Sequence, residues 1–304
     1  MRVGIILCLF LVVLTGCSIQ PAQTPSLPPT TAPSLASTSP TLPPPTAPAP
    51  TDPPPTTLPP TPSAVAALPA LPVVHEIFIP GLQFACAADD YLWVFDGAHL
   101  GLWDPRPQER LTEFDVQPVI PPFWAYQSIW FAAVSDLGPE MVSMDPFTGD
   151  ETARIPFGDL FGADVTIARG IEAAGWIWLV DTDGHFWLMS PNQVFLDFAG
   201  PAGAMALAFD DYRVWVAGTD QTWRIDAGSA EVMDKLDLQL TALTYGGGRI
   251  WALDASGALL QLDPETAAAE SLGSVCAHPS DVTWNNGLLW VTCPADQTLI
   301  ALEP

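Results

Sequence analysis

From residue 71 onward, Trp, Leu, Ile and Val fall in short runs broken by Asp and Gly, a pattern that reads as strands and tight turns. Six of these runs share a tryptophan: YLWVFDG (Trp93), SIWFAAV (Trp130), WIWLVDT (Trp178), RVWVAGT (Trp215), RIWALDA (Trp251) and LLWVTCP (Trp290). The steps between them are 37, 48, 37, 36 and 39 residues. After each tryptophan comes a second short strand that ends near an acid or a proline, at Asp104, Asp145, Ser190, Asp226, Asp263 and Glu303.

One unit read through gives the element order. LTALTY is an apolar strand, Gly246–Gly248 a tight turn, RIWALD a second strand, ASG a turn and ALLQLD a third strand. PETAA turns the chain again, and AESLGS is a weaker fourth strand. Four antiparallel strands in about forty residues make one blade of a β-propeller. The inner strands are continuously apolar because neighbouring blades cover both faces, and the outer strand is polar because it meets water. The sixth unit stops at Pro304 after its third strand, while VVHEIFIP (73–80) precedes the first unit unclaimed. The fold class predicted is therefore all-β: a six-bladed β-propeller of four-stranded antiparallel blades, closed by strand 73–80 completing the last blade.

The phrase GRIWALD…LLQLDPET resembles the repeats of streptogramin lyase-type and related NHL or YVTN-type propellers, and the resemblance spans residues 73–304. It implies the fold and leaves the activity open, because propellers host unrelated functions. The lyase of that type uses histidines and a glutamate around magnesium in its later blades. Here the histidines are His75, His99, His185 and His278, and of these only His278 lies in the last two units. The catalytic set of that family therefore has no positions to occupy.

Composition divides the chain. Most of the 34 prolines precede residue 81, and Pro, Thr, Ser and Ala dominate residues 20–70, a mixture too poor in large apolar residues to build a core. Proline fixes φ and removes backbone donors, so polyproline II is the expected local state there. About forty such residues span up to about 120 Å. Residues 1–16 carry Arg2 and an apolar run from Val3 to Leu14, too short for a membrane span and suited to a signal peptide. Leu14-Thr15-Gly16-Cys17 resembles the lipobox of bacterial lipoproteins, which implies that Cys17 becomes the first mature residue and carries lipid. The domain expectation is 1–16 signal peptide, 17–70 lipidated cysteine and tether, 71–304 propeller. The implied location is the cell membrane or outer membrane, lipid-anchored and facing outside the cytoplasm.

Charge narrows the partners. Acids number 34 against 9 Lys plus Arg, for a net charge of −25, which repels phosphate backbones and excludes nucleic acid. Membrane contact is expected through lipid on Cys17 alone, and the chain is expected to be a monomer with a protein or cell-envelope partner. No nucleophile elbow, phosphate-cradling loop or C-x-x-C is present, so the residues favour a non-catalytic protein over an enzyme. No cofactor is called for. The one alternative is a divalent cation at Asp96, Asp181 and Asp254, which recur three positions past the repeat tryptophan, together with Asp183. Hard cations need several converging oxygens, whereas Asp near Gly is also ordinary turn chemistry. With His278 on a neighbouring loop, these residues are the candidate mouth contacts.

Two further patterns bear on the ring. Six positions before the repeat tryptophan stand Ala87, Trp124, Glu172, Phe209, Tyr245 and Trp284, expected to pack blade on blade, with stacking on a sugar or apolar ligand in the funnel as the rival role. Trp103, Trp187 and Trp223 on third strands are read as inter-blade packing. Cys86, Cys276 and Cys293 are an odd set in an exported domain, so one is left over. Cys276–Cys293 is the favoured pair and Cys86–Cys293 the rival. The leading function is a lipid-anchored, non-catalytic binding or scaffold module for a protein or envelope component. The alternatives are a lyase-like or other metal-dependent enzyme with a divergent site in the funnel, and a carbohydrate-binding module.

Overall fold

Tight hairpins join the first two strands of the blades. Tyr126-Gln127, Ala174-Gly175, Gly247-Gly248 and Asn286-Gly287 each have positive φ at both residues, the primed turn whose twist matches that of two antiparallel strands. Tyr126 adopts this backbone without glycine and is tied down twice: its N–H donates to Glu172 Oε2 at 2.9 Å and its hydroxyl to the Gly175 carbonyl at 2.6 Å.

The computed structural model describes residues 71–136, 138–157, 165–190 and 193–304. Blade one holds β2 (Phe84–Ala88), β3 (Tyr91–Phe95), β4 (Leu100–Asp104) and β5 (Glu109–Phe114). Blade two holds β6 (Phe123–Ala125), β7 (Ser128–Ser135), β8 (Gly138–Met144) and β9 (Glu151–Pro156). Blade three holds β10 (Ile167–Ala173), β11 (Trp176–Asp181), β12 (His185–Ser190) and β13 (Gln193–Ala199). Blade four holds β14 (Ala206–Phe209), β15 (Arg213–Ala217), β16 (Thr222–Asp226) and β17 (Val232–Leu236). Blade five holds β18 (Leu240–Gly246), β19 (Arg249–Asp254), β20 (Ala258–Leu262) and β21 (Ala269–Ser274). Blade six holds β22 (Asp281–Asn285), β23 (Leu288–Cys293), β24 (Thr298–Leu302) and, as its outer strand, β1 (Val73–Phe78).

The six-bladed ring and its three-plus-one closure are as the repeats predict. β1 runs antiparallel to β24, with His75 opposite Ala301 and Ile77 opposite Leu299. The expected signal peptide and tether, and Cys17 with them, lie outside the described residues.

Apolar clusters fill the seams between neighbouring blades rather than the centre of each sheet. Trp187 of blade three joins Phe123 and Trp130 of blade two. Trp223 of blade four joins Trp178 of blade three, and Trp103 of blade one packs against the cluster holding Trp290 of blade six. The third-strand tryptophans are thus inter-blade packing. The repeat tryptophans at 93, 130, 178, 215 and 290 are fully buried. A buried indole N–H favours a partner, and in blades two to five the chain supplies one five residues upstream, whereas Trp290 Nε1 of blade six is buried without one among the described residues. Trp130, Trp178 and Trp251 donate to the carbonyls of Ala125, Ala173 and Gly246 at 2.9, 3.3 and 3.0 Å. In blade four the acceptor is instead the Asp210 carboxylate, at 2.8 Å.

The topology gives the ring two unlike faces. The hairpins between first and second strands, and the turns between third and fourth strands, share one side, here the hairpin face. The turns after the second strands and the connections between blades share the other, the linker face.

Candidate functional site

The inner strands β2, β6, β10, β14, β18 and β22 surround an axial channel of about 300 Å³. An inner strand has a free edge toward the axis, and its unpaired N–H groups need partners. Neighbouring blades supply some from side chains. Thr283 Oγ1 on β22 accepts from the Ala87 N–H on β2 at 2.9 Å, and Thr244 Oγ1 on β18 accepts from the Trp284 N–H at 3.2 Å.

Two charged residues lie in the channel at one level. Arg169 on β10 and Asp281 on β22 each stand nine positions before their repeat tryptophan, where the other blades carry Phe84, Pro121, Ala206 and Ala242. Arg169 Nη2 lies 3.7 Å from Asp281 Oδ2, with the side chains 27% and 14% exposed. Asp281 Oδ1 accepts the Val282 N–H at 2.9 Å, and Arg169 Nη1 donates to the Ala168 carbonyl at 3.1 Å. Desolvation pushes the Asp281 carboxyl above the usual carboxylate range, against the opposing pull of Arg169 and of the Val282 N–H. Cys86 on β2 lines the same channel. Its burial, and then the charge of Asp281, push the thiol up, so it stays protonated and is a weak nucleophile.

Toward the hairpin face the lining turns aromatic. Trp124, Phe209 and Tyr245 line the channel from blades two, four and five, and Glu172 takes the equivalent position in blade three. The bodies of the three rings also pack against inter-blade clusters. The packing and channel-lining roles are therefore combined in the same side chains.

The acids singled out by the repeat sit elsewhere, in the turns after second strands on the linker face. Asp96 Oδ1 accepts the N–H groups of Ala98 and His99 at 2.9 and 2.8 Å. Asp181 Oδ1 accepts those of Asp183 and His185 at 2.9 and 2.7 Å. Asp254 Oδ1 accepts those of Ser256 and Ala258 at 2.8 and 2.9 Å. Each carboxylate organises its own turn, and Asp183 is exposed beside one of them. Among the described residues, no three His, Cys, Asp or Glu side chains group as a metal site. His278 is exposed on the connection into blade six and shares a shallow surface hollow with Asp254. A disulfide joins Cys276 to Cys293, tying that connection to the end of β23, and Cys86 is a free thiol.

Arg169 and Asp281 are the functional candidates that the tryptophan repeat does not announce. Their signal lies nine places upstream, where a charge replaces a small or apolar residue in two units out of six.

No family model matches the chain, and no curated protein matches it. Among solved structures, the β-propeller domain of Cps50 (Swd1) from Myceliophteria thermophila aligns with a TM-score of 0.57 at 10% identity, over 77% of this chain and 99% of that one. The WD40 domain of Doa1 aligns with a TM-score of 0.54 at 11% identity, over 72% of this chain and 78% of that one. The WD40 domain of Pan2 from Neurospora crassa aligns at 0.53 and 8% identity, over 73% and 75%. At such identities the likeness is one of fold: this chain is built as a β-propeller.

Proposed function

We propose that the protein is a non-catalytic binding module, held on the extracytoplasmic side of a membrane by lipid on Cys17, that receives a protein or cell-envelope component on one face of its ring. The observation that carries this reading is the hairpin face. Tyr212 and Phe147, 74% and 63% exposed, both stand on it, beside the acidic turn residues Asp89, Asp90 and Asp211. Large aromatic side chains left in water are the anchors that protein interfaces favour. The closed ring and the Cys276–Cys293 staple hold them on a rigid support, which lowers the ordering cost of association. The anchor rests on the lipobox-like Leu14–Cys17 and the proline-rich stretch that follows it.

Photo-crosslinking on intact cells tests the face. A crosslinker at position 212 should yield a discrete adduct that weakens in a Phe147→Ala background, and one at Val119 on the linker face should not. Equal adducts from both positions, or none from 212, would reject the reading. Labelled palmitate tests the anchor: incorporation should vanish with Cys17→Ser, and the protein should leave the membrane fraction.

A further inference from the structure

We propose that the hairpin-side half of the axial channel is a binding site for a small organic ammonium ion. This site opens on the same hairpin face as the partner surface above, but it rests on different side chains, and its test reads ligand binding alone, so the failure of either proposal leaves the other standing.

The wall chemistry comes first. Trp124, Phe209 and Tyr245 reach the cavity from three blades at one repeat position. The face of an aromatic ring carries negative electrostatic potential, and several rings around one space are the general means of holding a quaternary ammonium. At this level blade three contributes a carboxylate in place of a ring, Glu172. Its Oε2 accepts the Tyr126 N–H at 2.9 Å, while Oε1 accepts no hydrogen bond among the described residues. Glu172 lines the channel with the three rings and keeps acceptor capacity for a ligand, and the hairpin-side half of this channel of about 300 Å³ suits a ligand of only a few heavy atoms.

Among the described residues no cation pairs with Glu172. Arg169, three residues back on the same strand and about 10 Å along it, is turned to Asp281. Arg213 is held by Asp210 and Glu265, and Arg249 by Asp263. The single lysine, Lys235, sits over the Trp223 ring at 3.8 Å on an outer strand. The net charge of −25 adds a field that concentrates cations and repels anions at the mouth. An anionic ligand would meet Glu172 and this field. A neutral sugar would stack on the rings and donate a hydroxyl to the carboxylate, but would leave its charge uncompensated.

The probes are choline, tetramethylammonium, and 3,3-dimethylbutan-1-ol as the neutral isostere of choline. They would be titrated calorimetrically into the mature chain from residue 17 bearing Cys17→Ser. The expected result is one site for choline and for tetramethylammonium, with the alcohol weaker by about tenfold or more. Glu172→Gln keeps an acceptor for the Tyr126 N–H, so it should leave the melting temperature nearly unchanged while weakening choline by about tenfold or more. Trp124→Leu should weaken it comparably, and its melting curve reports whether the fold survives. Absence of ammonium binding, equal binding of the alcohol, indifference of choline to Glu172→Gln in the folded protein, or preferential binding of neutral oligosaccharides would each overturn the proposal.

Discussion

Arg169 and Asp281 meet in the axial channel, Nη2 to Oδ2 at 3.7 Å, and so couple blade three to blade six on opposite sides of the ring. Desolvation holds the Asp281 carboxyl above the ordinary range despite the guanidinium. The folded protein thus binds this proton more tightly than the unfolded chain does. The contribution of Asp281 then makes stability fall as pH rises from about 4 through the elevated native value. Asp281→Asn should flatten that part of the stability profile. Arg169→Met removes the one opposing charge, raises the carboxyl further, and should cost about 1–2 kcal/mol at neutral pH, with little cost near pH 4. Urea denaturation from pH 4 to 8 checks both. A parallel shift of the whole profile in Arg169→Met would rule out the linkage.

A second charge cluster welds blade four to blade five. Asp210 Oδ2 accepts from Arg213 Nε at 2.9 Å and Trp215 Nε1 at 2.8 Å, and Oδ1 accepts the Tyr212 and Arg213 N–H groups at 3.1 and 2.7 Å. Arg213 also reaches Glu265 on the next blade at 2.5 Å. The two carboxylates differ in setting: Asp210 is buried, whereas the Glu265 side chain is 74% exposed. Asp210→Asn turns amide hydrogens toward buried donors and should cost about 3 kcal/mol. Glu265→Gln, screened by water, should cost under about 1 kcal/mol. Equal losses in denaturant titrations would show that burial is not the deciding variable.

The ring was readable because its period is long and its marker is large. A tryptophan that must be buried at one register in every blade imprints itself on the sequence, and the spare strand 73–80 finds its place because the last unit lacks one. The channel was far less readable. Arg169 and Asp281 come together only through closure, with more than a hundred residues between them, and neither forms a local motif. The acids after the tryptophans drew attention through regular spacing, yet that regularity belongs to the turn, since Asp96, Asp181 and Asp254 bond their own backbones. Spacing alone cannot separate a carboxylate that shapes a loop from one that waits for a ligand. The hydrogen bonds that each carboxylate makes in the folded chain can.

The cysteines offer a prediction about reactivity. Burial and the nearby Asp281 raise the Cys86 thiol, so it should react slowly with a disulfide reagent at pH 8 in the folded protein and quickly once unfolded. Because folding elevates this group, the stability it contributes is full below the ordinary thiol range and declines as pH rises above about 8.5. Cys276 and Cys293 enclose a short loop of sequence separation 17, and chain entropy puts the stabilisation from such a closure at about 3 kcal/mol. Thiol counting should find one slow group in the native protein and three after reduction and denaturation of the ring. A second native thiol, or no loss of stability in the Cys276→Ser/Cys293→Ser double variant, would contradict this arrangement.

The seam between blades five and six tests whether a glycine is kept for space. Gly246 ends β18, and a Cβ built there would lie 1.9 Å from Cγ of Trp284, so the indole would have to move. Trp284 stacks on Trp251 with centroids 6.1 Å apart and planes 10° apart, while Trp251 Nε1 donates to the Gly246 carbonyl at 3.0 Å. The next residue is fixed to blade one, where Asn285 Nδ2 donates to the carbonyls of Asp89 and Tyr91 at 3.0 and 3.2 Å, so Trp284 has little freedom to yield. Gly246→Ala should therefore cost about 1–3 kcal/mol through overpacking. Gly248→Ala, two residues on, meets no atom within 4 Å but has φ of +74°, and should cost about 1 kcal/mol from backbone conformation alone. Trp284→Leu makes room at the first site only. In a double-mutant cycle it should recover much of the Gly246→Ala loss and none of the Gly248→Ala loss. Additive losses in both cycles would mean that the indole is not what excludes a methyl group from residue 246.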